Sequence, residues 1–207
     1  MIGKIMKILY CLIIGYLLGS LSPSALISKL KKKNLRECGT KNLGATNTML
    51  TFGKWYGLFV MLFDISKAYI AVKLARMFFP ALAVSGVLAG SAAVVGHVYP
   101  FYLRFKGGKG LAAFGGLVLG LDPLLFLILL VIALILMLII NYSVAMPMSA
   151  AVLFPVLYGI QSRDIIGALI LTAVSVLIIY KHFSNIYKAR RGEDVKIREF
   201  VKAHLLH

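Results

Sequence analysis

A chain of 207 residues that is 60% hydrophobic, has a mean hydropathy of +0.91 and carries only 14% charged residues lies far outside the range of soluble globular domains. It reads as an all-α integral membrane protein, because apolar runs of about 20 residues each suffice to cross roughly 30 Å of hydrocarbon and leave little chain for a soluble domain. The formal net charge of +16 would suit nucleic acid, but Lys and Arg cluster at the ends of the apolar runs instead of along one soluble face, so no nucleic-acid partner is expected.

The first predicted span covers residues 5–26, between Lys4 and Lys7 on one side and Lys29, Lys31, Lys32 and Lys33 on the other. A basic start before an apolar core also fits a signal peptide. The lysine cluster that follows it argues for a retained first helix, since basic loops stay in the cytoplasm. Residues 29–54 form a polar segment suited to the membrane interface. Within it Thr40, Lys41, Asn42, Gly44, Thr46 and Asn47 gather small donors and turn formers. Such residues line a polar site or cap the next helix. The second span, residues 56–79, contains Asp64 and Lys67 on one helix face, where they form either a structural or a functional pair. The third, residues 81–98, is rich in small residues that permit close helix contact and ends beside His97.

Residues 110–140 are too many for one crossing, and Gly120, Asp122 and Pro123 divide them into spans over 110–121 and 123–140. The first of these is short, which predicts that its start is sunk below the membrane surface. The sixth span covers 144–160, with kinks expected at Pro147 and Pro155, and the seventh covers 165–180. Seven spans would put the N-terminus outside and the C-terminus in the cytoplasm, in one domain over residues 1–207. The inner face then collects 17 of the 23 Lys and Arg: seven within 29–54, three within 104–109 and seven within 181–202. This satisfies the preference for basic cytoplasmic loops, with Lys4 and Lys7 dissenting.

Between the third and fourth spans the chain reads G-H-V-Y-P-F-Y-L-R-F-K-G-G-K-G-L from Gly96 to Leu111. Arg104, Lys106 and Lys109 are interleaved with Gly107, Gly108 and Gly110 ahead of an apolar helix. Glycines allow close backbone approach, and a helix start adds unpaired N–H groups and a positive dipole end, so the pattern suits an anion. A basic turn with glycines for packing is the alternative. It is not a nucleotide P-loop, because no Ser or Thr follows Lys109. Seven acids in the whole chain supply neither a paired-carboxylate metal site nor a Ser-His-Asp set, so no metal or cofactor is expected. His97 and His182 are the candidates for titration near neutrality, and either could instead be bonded to a helix end. Cys11 and Cys38 have no metal-binding spacing and read as reduced thiols.

These motifs resemble the bacterial acyl-phosphate:glycerol-3-phosphate acyltransferase family (PlsY), small seven-helix membrane enzymes. Residues 96–110 satisfy the family signature G-H-x-[FY]-P-x-[FY]-x-x-F-K-G-G-K-G throughout. Gly19-Ser20, Leu35-Arg36, the G-A-T-N at residues 44–47, Asp64 with Lys67, and His182, Asn185 and Ile186 with Gly192-Glu193 also fit, so the similarity covers nearly the whole chain. The resemblance implies transfer of a fatty acyl group from acyl phosphate to the 1-hydroxyl of glycerol 3-phosphate, giving lysophosphatidic acid, in the bacterial inner membrane with the site facing the cytoplasm. The H-x-x-x-x-D motif of other acyltransferases is missing, since Tyr102 follows His97 and Tyr187 follows His182 at that distance.

Carried over by position, Lys109 with Lys106, Gly107, Gly108 and Gly110 would hold the acyl phosphate. Thr40, Asn42, His182 and Asn185 would line the acceptor, with Arg36, Lys41, Gly44, Thr46, Asn47 and His97 completing substrate binding. Lys109, His182, Asn185 and Thr40 form the expected catalytic set. Substrate phosphate would assist deprotonation of the hydroxyl. Membrane lipids are the expected surroundings and a monomer the expected state. The chain departs from the family pattern at Thr40, where the family has a serine and the hydroxyl is kept, at Lys41, where it has a glycine, and at Leu50, where it usually has an arginine that binds the acceptor phosphate; residues 141–144 match it only loosely. Lys41 is a candidate to replace that charge. A relative with another acceptor, a non-catalytic member and a polytopic anion carrier are the rival readings.

Overall fold

A computed structural model describes residues 2–193 and 196–204; Asp194 and His207 of the basic tail lie outside the described residues. The regular elements among them are helices: α1 Ile2–Ser20, α2 Pro23–Leu30, α3 Ala45–Phe52, α4 Lys54–Phe78, α5 Ser85–Val98, a 3₁₀ turn Phe101–Leu103, α6 Leu111–Leu121, α7 Pro123–Ile140, α8 Ala145–Ser162, α9 Ile165–Arg190 and α10 Ile197–His204. The chain divides into two compact units, Met1–Asp122 and Pro123–His207. Among the described residues five stretches are long and apolar enough to cross a membrane: Ile2–Leu30, Ser85–Leu103, α7, α8 and α9. Of the other two predicted spans, α4 has the length, at 25 residues, but carries Asp64, Lys67, Lys73 and Arg76. α6 has only 11 residues. At roughly 1.5 Å per residue it reaches about half the hydrocarbon thickness.

In the first unit α5 is the centre, with twelve of its fourteen residues buried, so neighbours enclose it on every side. Its small side chains make that possible. α1 lies against it through Gly15 and Gly19, one helical turn apart, where a Cβ would run into the backbone of Ala89 and Ala93. Without a hydrophobic drive between helices in lipid, such backbone proximity is the main source of packing attraction. α4 and α6 flank α5 elsewhere, and Arg76 of α4 donates to the carbonyls of Gly120 and Leu121 at the end of α6, 3.2 and 3.1 Å away.

The first span is not continuous. α1 ends at Ser20, and Ser22 caps α2 with Pro23 in its first turn. Pro23 has no N–H to continue α1, while its fixed φ suits a helix start. The Tyr102 hydroxyl spans the break, donating to the Ser20 carbonyl at 2.8 Å and accepting from the Ser22 N–H at 3.1 Å.

The second unit stacks α7 on α8 and α8 on α9. α7 buries only Leu125, Leu129 and Ala133, a single stripe at four-residue spacing. Leu124, Leu127, Val131, Ile135 and Leu138 stay exposed, as a lipid-facing helix requires. Pro147 falls in the first turn of α8, where a missing N–H breaks no helical bond, so the kink expected there has no cause; Pro155 lies inside the helix. α9 begins at Asp164, whose carboxylate accepts from the Gly167 N–H at 2.9 Å. It runs on to Arg190 instead of stopping at residue 180, because polar residues extend the helix past its apolar part.

Candidate active site

The glycine-lysine loop descends from the end of α5. After the 3₁₀ turn, Arg104 and Phe105 both adopt left-handed backbone, with φ of 54° and 57°, and fold the chain back on α5. The Gly107 N–H then donates to the Val98 carbonyl at 3.0 Å and the Gly108 N–H to the His97 carbonyl at 3.1 Å. These two amides therefore cap α5, and what the glycines supply is proximity. A Cβ on Gly107 would meet the His97 carbonyl, and one on Gly108 would meet both the His97 ring at Nε2 and the Leu43 carbonyl. Gly110, at φ +90°, is the N-cap of α6. The first-turn N–H groups of α6 have no partner within the helix, and Lys109 is half-buried one residue before that cap. The backbone donors for an anion thus belong to the start of α6.

The second loop, residues 31–44, is held at its start by Ser28, whose hydroxyl donates to the Lys33 carbonyl at 2.7 Å and accepts from the Leu35 N–H at 3.2 Å, and farther on by Asn47. Asn47, 1% exposed in the first turn of α3, accepts from the Thr40 N–H at 2.8 Å and donates to the carbonyls of Leu35 and Asn42 at 2.7 and 2.9 Å. Leu35 and Leu43 bury their side chains beneath the same loop. Gly39 and Lys41 take left-handed backbone, at φ +52° and +57°. The Lys41 and Thr46 side chains are exposed, and Thr40, Asn42 and Gly44 are half-buried.

The two loops meet at two places. The Arg36 guanidinium donates to the Lys106 carbonyl, and Gly108 sits directly on the Leu43 carbonyl. Arg36, Lys106, Gly107, Gly108 and His97 are thereby gathered at one junction. Beside it a cavity of about 340 Å³ opens over Leu43 and Leu103 with Lys29, Lys32, Lys33 and Arg36 around it, so its field is positive.

Beneath the glycine-lysine loop lies a buried ionic set. Lys67 Nζ is 2.7 Å from Asp64 Oδ1, 3.0 Å from His97 Nδ1 and donates to the Leu21 carbonyl at 2.6 Å. Asp64 and Lys67 are 2% and 3% exposed. An ammonium has three hydrogens, and these three acceptors use them all. His97 Nδ1 is also 3.3 Å from Asp64 Oδ1. With Lys67 donating to Nδ1, the neutral ring carries its hydrogen on Nε2, the nitrogen against Gly108. Sequence spacing shows the Asp64–Lys67 pair; it gives no sign of His97 as the third member, because that contact joins residues 30 positions apart. The role of Tyr102 at the α1–α2 break is equally invisible in sequence, where Tyr102 stands only as the second aromatic of the G-H-x-[FY]-P-x-[FY] pattern.

His182 and Asn185 belong to the second unit, on α9. His182 is buried, and its Nδ1 lies 2.9 Å from the Ile178 carbonyl. A carbonyl only accepts, so Nδ1 holds the hydrogen and the neutral ring presents its lone pair at Nε2. The two histidines are opposite tautomers, with the hydrogen on Nε2 in His97 and on Nδ1 in His182. Asn185, three residues on and so on the same helix face, is half-buried.

Helices apolar enough to span a bilayer, and a basic loop built from glycine backbone and a helix start, define a polytopic helical membrane protein with chemistry suited to anionic ligands. Residues 9–192 match the family model for glycerol-3-phosphate acyltransferase. The chain is 38% identical over 200 residues to the glycerol-3-phosphate acyltransferase of Macrococcus caseolyticus, covering 93% of this chain and 98% of that protein. It is 36% identical over 206 residues to that of Staphylococcus aureus, covering 93% and 99%. Among solved structures it resembles PlsY (YgiH), an integral membrane glycerol 3-phosphate acyltransferase, in its glycerol 3-phosphate form, with a TM-score of 0.86, 31% identity and coverage of 92% of this chain and 95% of that one. The lysophosphatidic acid form of PlsY gives a TM-score of 0.82 at 30% identity, covering 91% and 94%. The chain belongs to the glycerol-3-phosphate acyltransferase family.

Proposed function

We propose that this protein transfers a fatty acyl group from acyl phosphate to the 1-hydroxyl of glycerol 3-phosphate, producing lysophosphatidic acid and inorganic phosphate. The observation that carries this reading is the meeting of the two loops, Arg36 on the Lys106 carbonyl and Gly108 on the Leu43 carbonyl. It suits two phosphorylated reactants, one on each loop, brought within reach of each other. Relatives solved with glycerol 3-phosphate and with lysophosphatidic acid support the acceptor and the product.

In the proposed reaction the glycerol hydroxyl oxygen bonds to the acyl carbon, the bond from that carbon to the phosphate oxygen breaks, and the hydroxyl proton passes to a phosphate oxygen. Lys109 and the α6 start hold the acyl phosphate and stabilise charge on the departing phosphate; preorganised donors of this kind need no strong base on the protein. Thr40 and Asn42 orient the acceptor; His182 and Asn185 are assigned to it by the family resemblance alone. The acyl chain lies in the membrane beside the short α6. Seven spans, an outer N-terminus, a cytoplasmic site, an inner-membrane location and a monomeric state complete the proposal, supported by the basic residues at 29–54, 104–109 and 181–202.

Purified protein in detergent or lipid, given acyl phosphate and radiolabelled glycerol 3-phosphate, should form labelled lysophosphatidic acid and release one phosphate per product. Release of phosphate without labelled lipid, or transfer from acyl-CoA alone, overturns the reading. Labelling of single cysteines at residues 33 and 106 from one side of intact vesicles tests the orientation.

A further inference from the structure

We infer that Asp64, Lys67 and His97 are positioning residues that fix the glycine-lysine loop, and with it Lys109, by holding the His97 ring in one tautomer and one orientation beneath Gly108. The inference rests on the reading that this loop carries the acyl donor.

The geometry links three parts of the first unit at one ammonium. Lys67 on α4 reaches the Leu21 carbonyl in the α1–α2 break, its own helix neighbour Asp64, and Nδ1 of His97 at the end of α5. His97 holds the loop twice: its carbonyl accepts from the Gly108 N–H at 3.1 Å, and its ring lies against Gly108 where no side chain would fit. A shift of the ring is therefore a shift of Gly108, and Lys109 is the next residue. The ammonium also decides the chemistry of the ring face. Because Lys67 donates to Nδ1, the Nε2 nitrogen at the loop is a hydrogen-bond donor, the polarity a phosphate-holding loop requires.

Stability alone does not account for the set. Buried ion pairs are commonly replaceable by apolar residues of similar volume with little loss, whereas removing one partner strands the other. Asp64 and Lys67 form an ion pair of zero net charge that is almost wholly buried, the kind an apolar pair of similar volume commonly replaces with little loss. What an apolar pair cannot do is donate a hydrogen to Nδ1.

The test uses full-length enzyme and the paired substitution Asp64→Leu with Lys67→Met, which removes both charges together. Its KM for acyl phosphate should rise at least tenfold while its KM for glycerol 3-phosphate stays within twofold of the starting protein. Asp64→Asn with Lys67→Met returns an N–H within reach of Nδ1, and should recover at least threefold of that loss. An unchanged donor KM, equal rises in both KM values, or no recovery with the asparagine overturns the inference. Hydrogen exchange supplies a readout independent of turnover and of any variant. In the unaltered protein the Gly107 and Gly108 amides should exchange as slowly as those of α5, and exchange at the rate of Arg104 and Phe105 overturns the inference. If the unaltered protein fails to use acyl phosphate, the functional reading falls and the exchange result still decides whether the loop is held.

Discussion

The two loops that meet at Arg36 and Gly108 are built on opposite principles. Residues 31–44 hang on side chains: the Ser28 hydroxyl bonds the backbone of Lys33 and Leu35, Asn47 that of Leu35, Thr40 and Asn42, and the Thr48 hydroxyl that of Gly44. Residues 104–110 hang on main chain, with glycine amides bonded to helix-end carbonyls and glycine α-carbons pressed on a ring and a carbonyl. The difference teaches where each loop tolerates change. The first can vary at positions facing solvent, as Lys41 illustrates, provided Asn47 remains. The second has no room for added atoms at Gly107 or Gly108, where a Cβ meets the His97 carbonyl, the His97 ring or the Leu43 carbonyl.

Lys109→Ala breaks the comparison at its centre, because it keeps the glycine backbone of the loop and removes the half-buried ammonium side chain. Acyl transfer should fall on the order of 10²–10³-fold, the usual loss when a preorganised charge-stabilising donor is removed. The fold should survive, measured as an unchanged thermal transition in detergent. Activity within a few-fold of the starting protein would place the donor elsewhere.

Gly108→Ala is the next largest. A single methyl must displace the His97 ring or the Leu43 carbonyl, and overpacking of this kind costs about 1–3 kcal/mol. Transmitted to Lys109, that predicts a loss on the order of ten- to a hundredfold in kcat/KM for acyl phosphate. The same methyl at Gly53, which has open space around it but a φ of +102°, should strain the backbone without touching the loop. Comparing donor kinetics of the two variants separates crowding at Gly108 from general loss of stability.

Asn47→Ala tests the side-chain loop. It strands the Thr40 N–H and the carbonyls of Leu35 and Asn42 beneath the loop. Leaving buried polar groups unpaired costs about 1–3 kcal/mol each, reduced here to the extent that the opened loop admits water. The expected result is a lowered thermal transition and a rise of about tenfold in acceptor KM, with donor KM little changed. An equal effect on both substrates would mean that the two loops act as one unit.

How much of this the sequence discloses depends on whether the cause is local. α7 runs from Pro123 to Ile140 as the apolar pattern predicts, since proline and composition are both read within the segment. The break after Ser20 was hidden by apolar residues on either side, although Ser22-Pro23 is a helix-start signal. The small residues of α5 announced close packing, and the glycine-lysine loop announced anion chemistry. The use of Gly107 and Gly108 amides to cap α5 was not legible, because it depends on the left-handed turn at Arg104 and Phe105, two residues without a glycine's freedom. The joining of Lys67 to His97 likewise depends on how α4 and α5 pack, which no spacing along one helix encodes.

Lys41→Gly is the mildest perturbation and the one that addresses what distinguishes this chain at the acceptor loop. Lys41 sits at φ +57°, a region glycine enters without strain, so the substitution removes a charge and leaves the backbone where it is. Leu50, where the family pattern usually has a phosphate-binding arginine, is half-buried on α3 and contributes no charge. If Lys41 supplies the missing attraction, acceptor KM should rise while kcat and donor KM stay fixed. Its side chain is exposed and screened by solvent and salt, so the rise should be about three- to tenfold and should shrink as ionic strength increases. An acceptor KM that ignores both the substitution and the salt would assign acceptor binding to Arg36 and the lysines around the neighbouring cavity. The restoring variant, Lys41→Gly with Leu50→Arg, then distinguishes the two arrangements: it lowers acceptor KM again only if the phosphate lies between these positions.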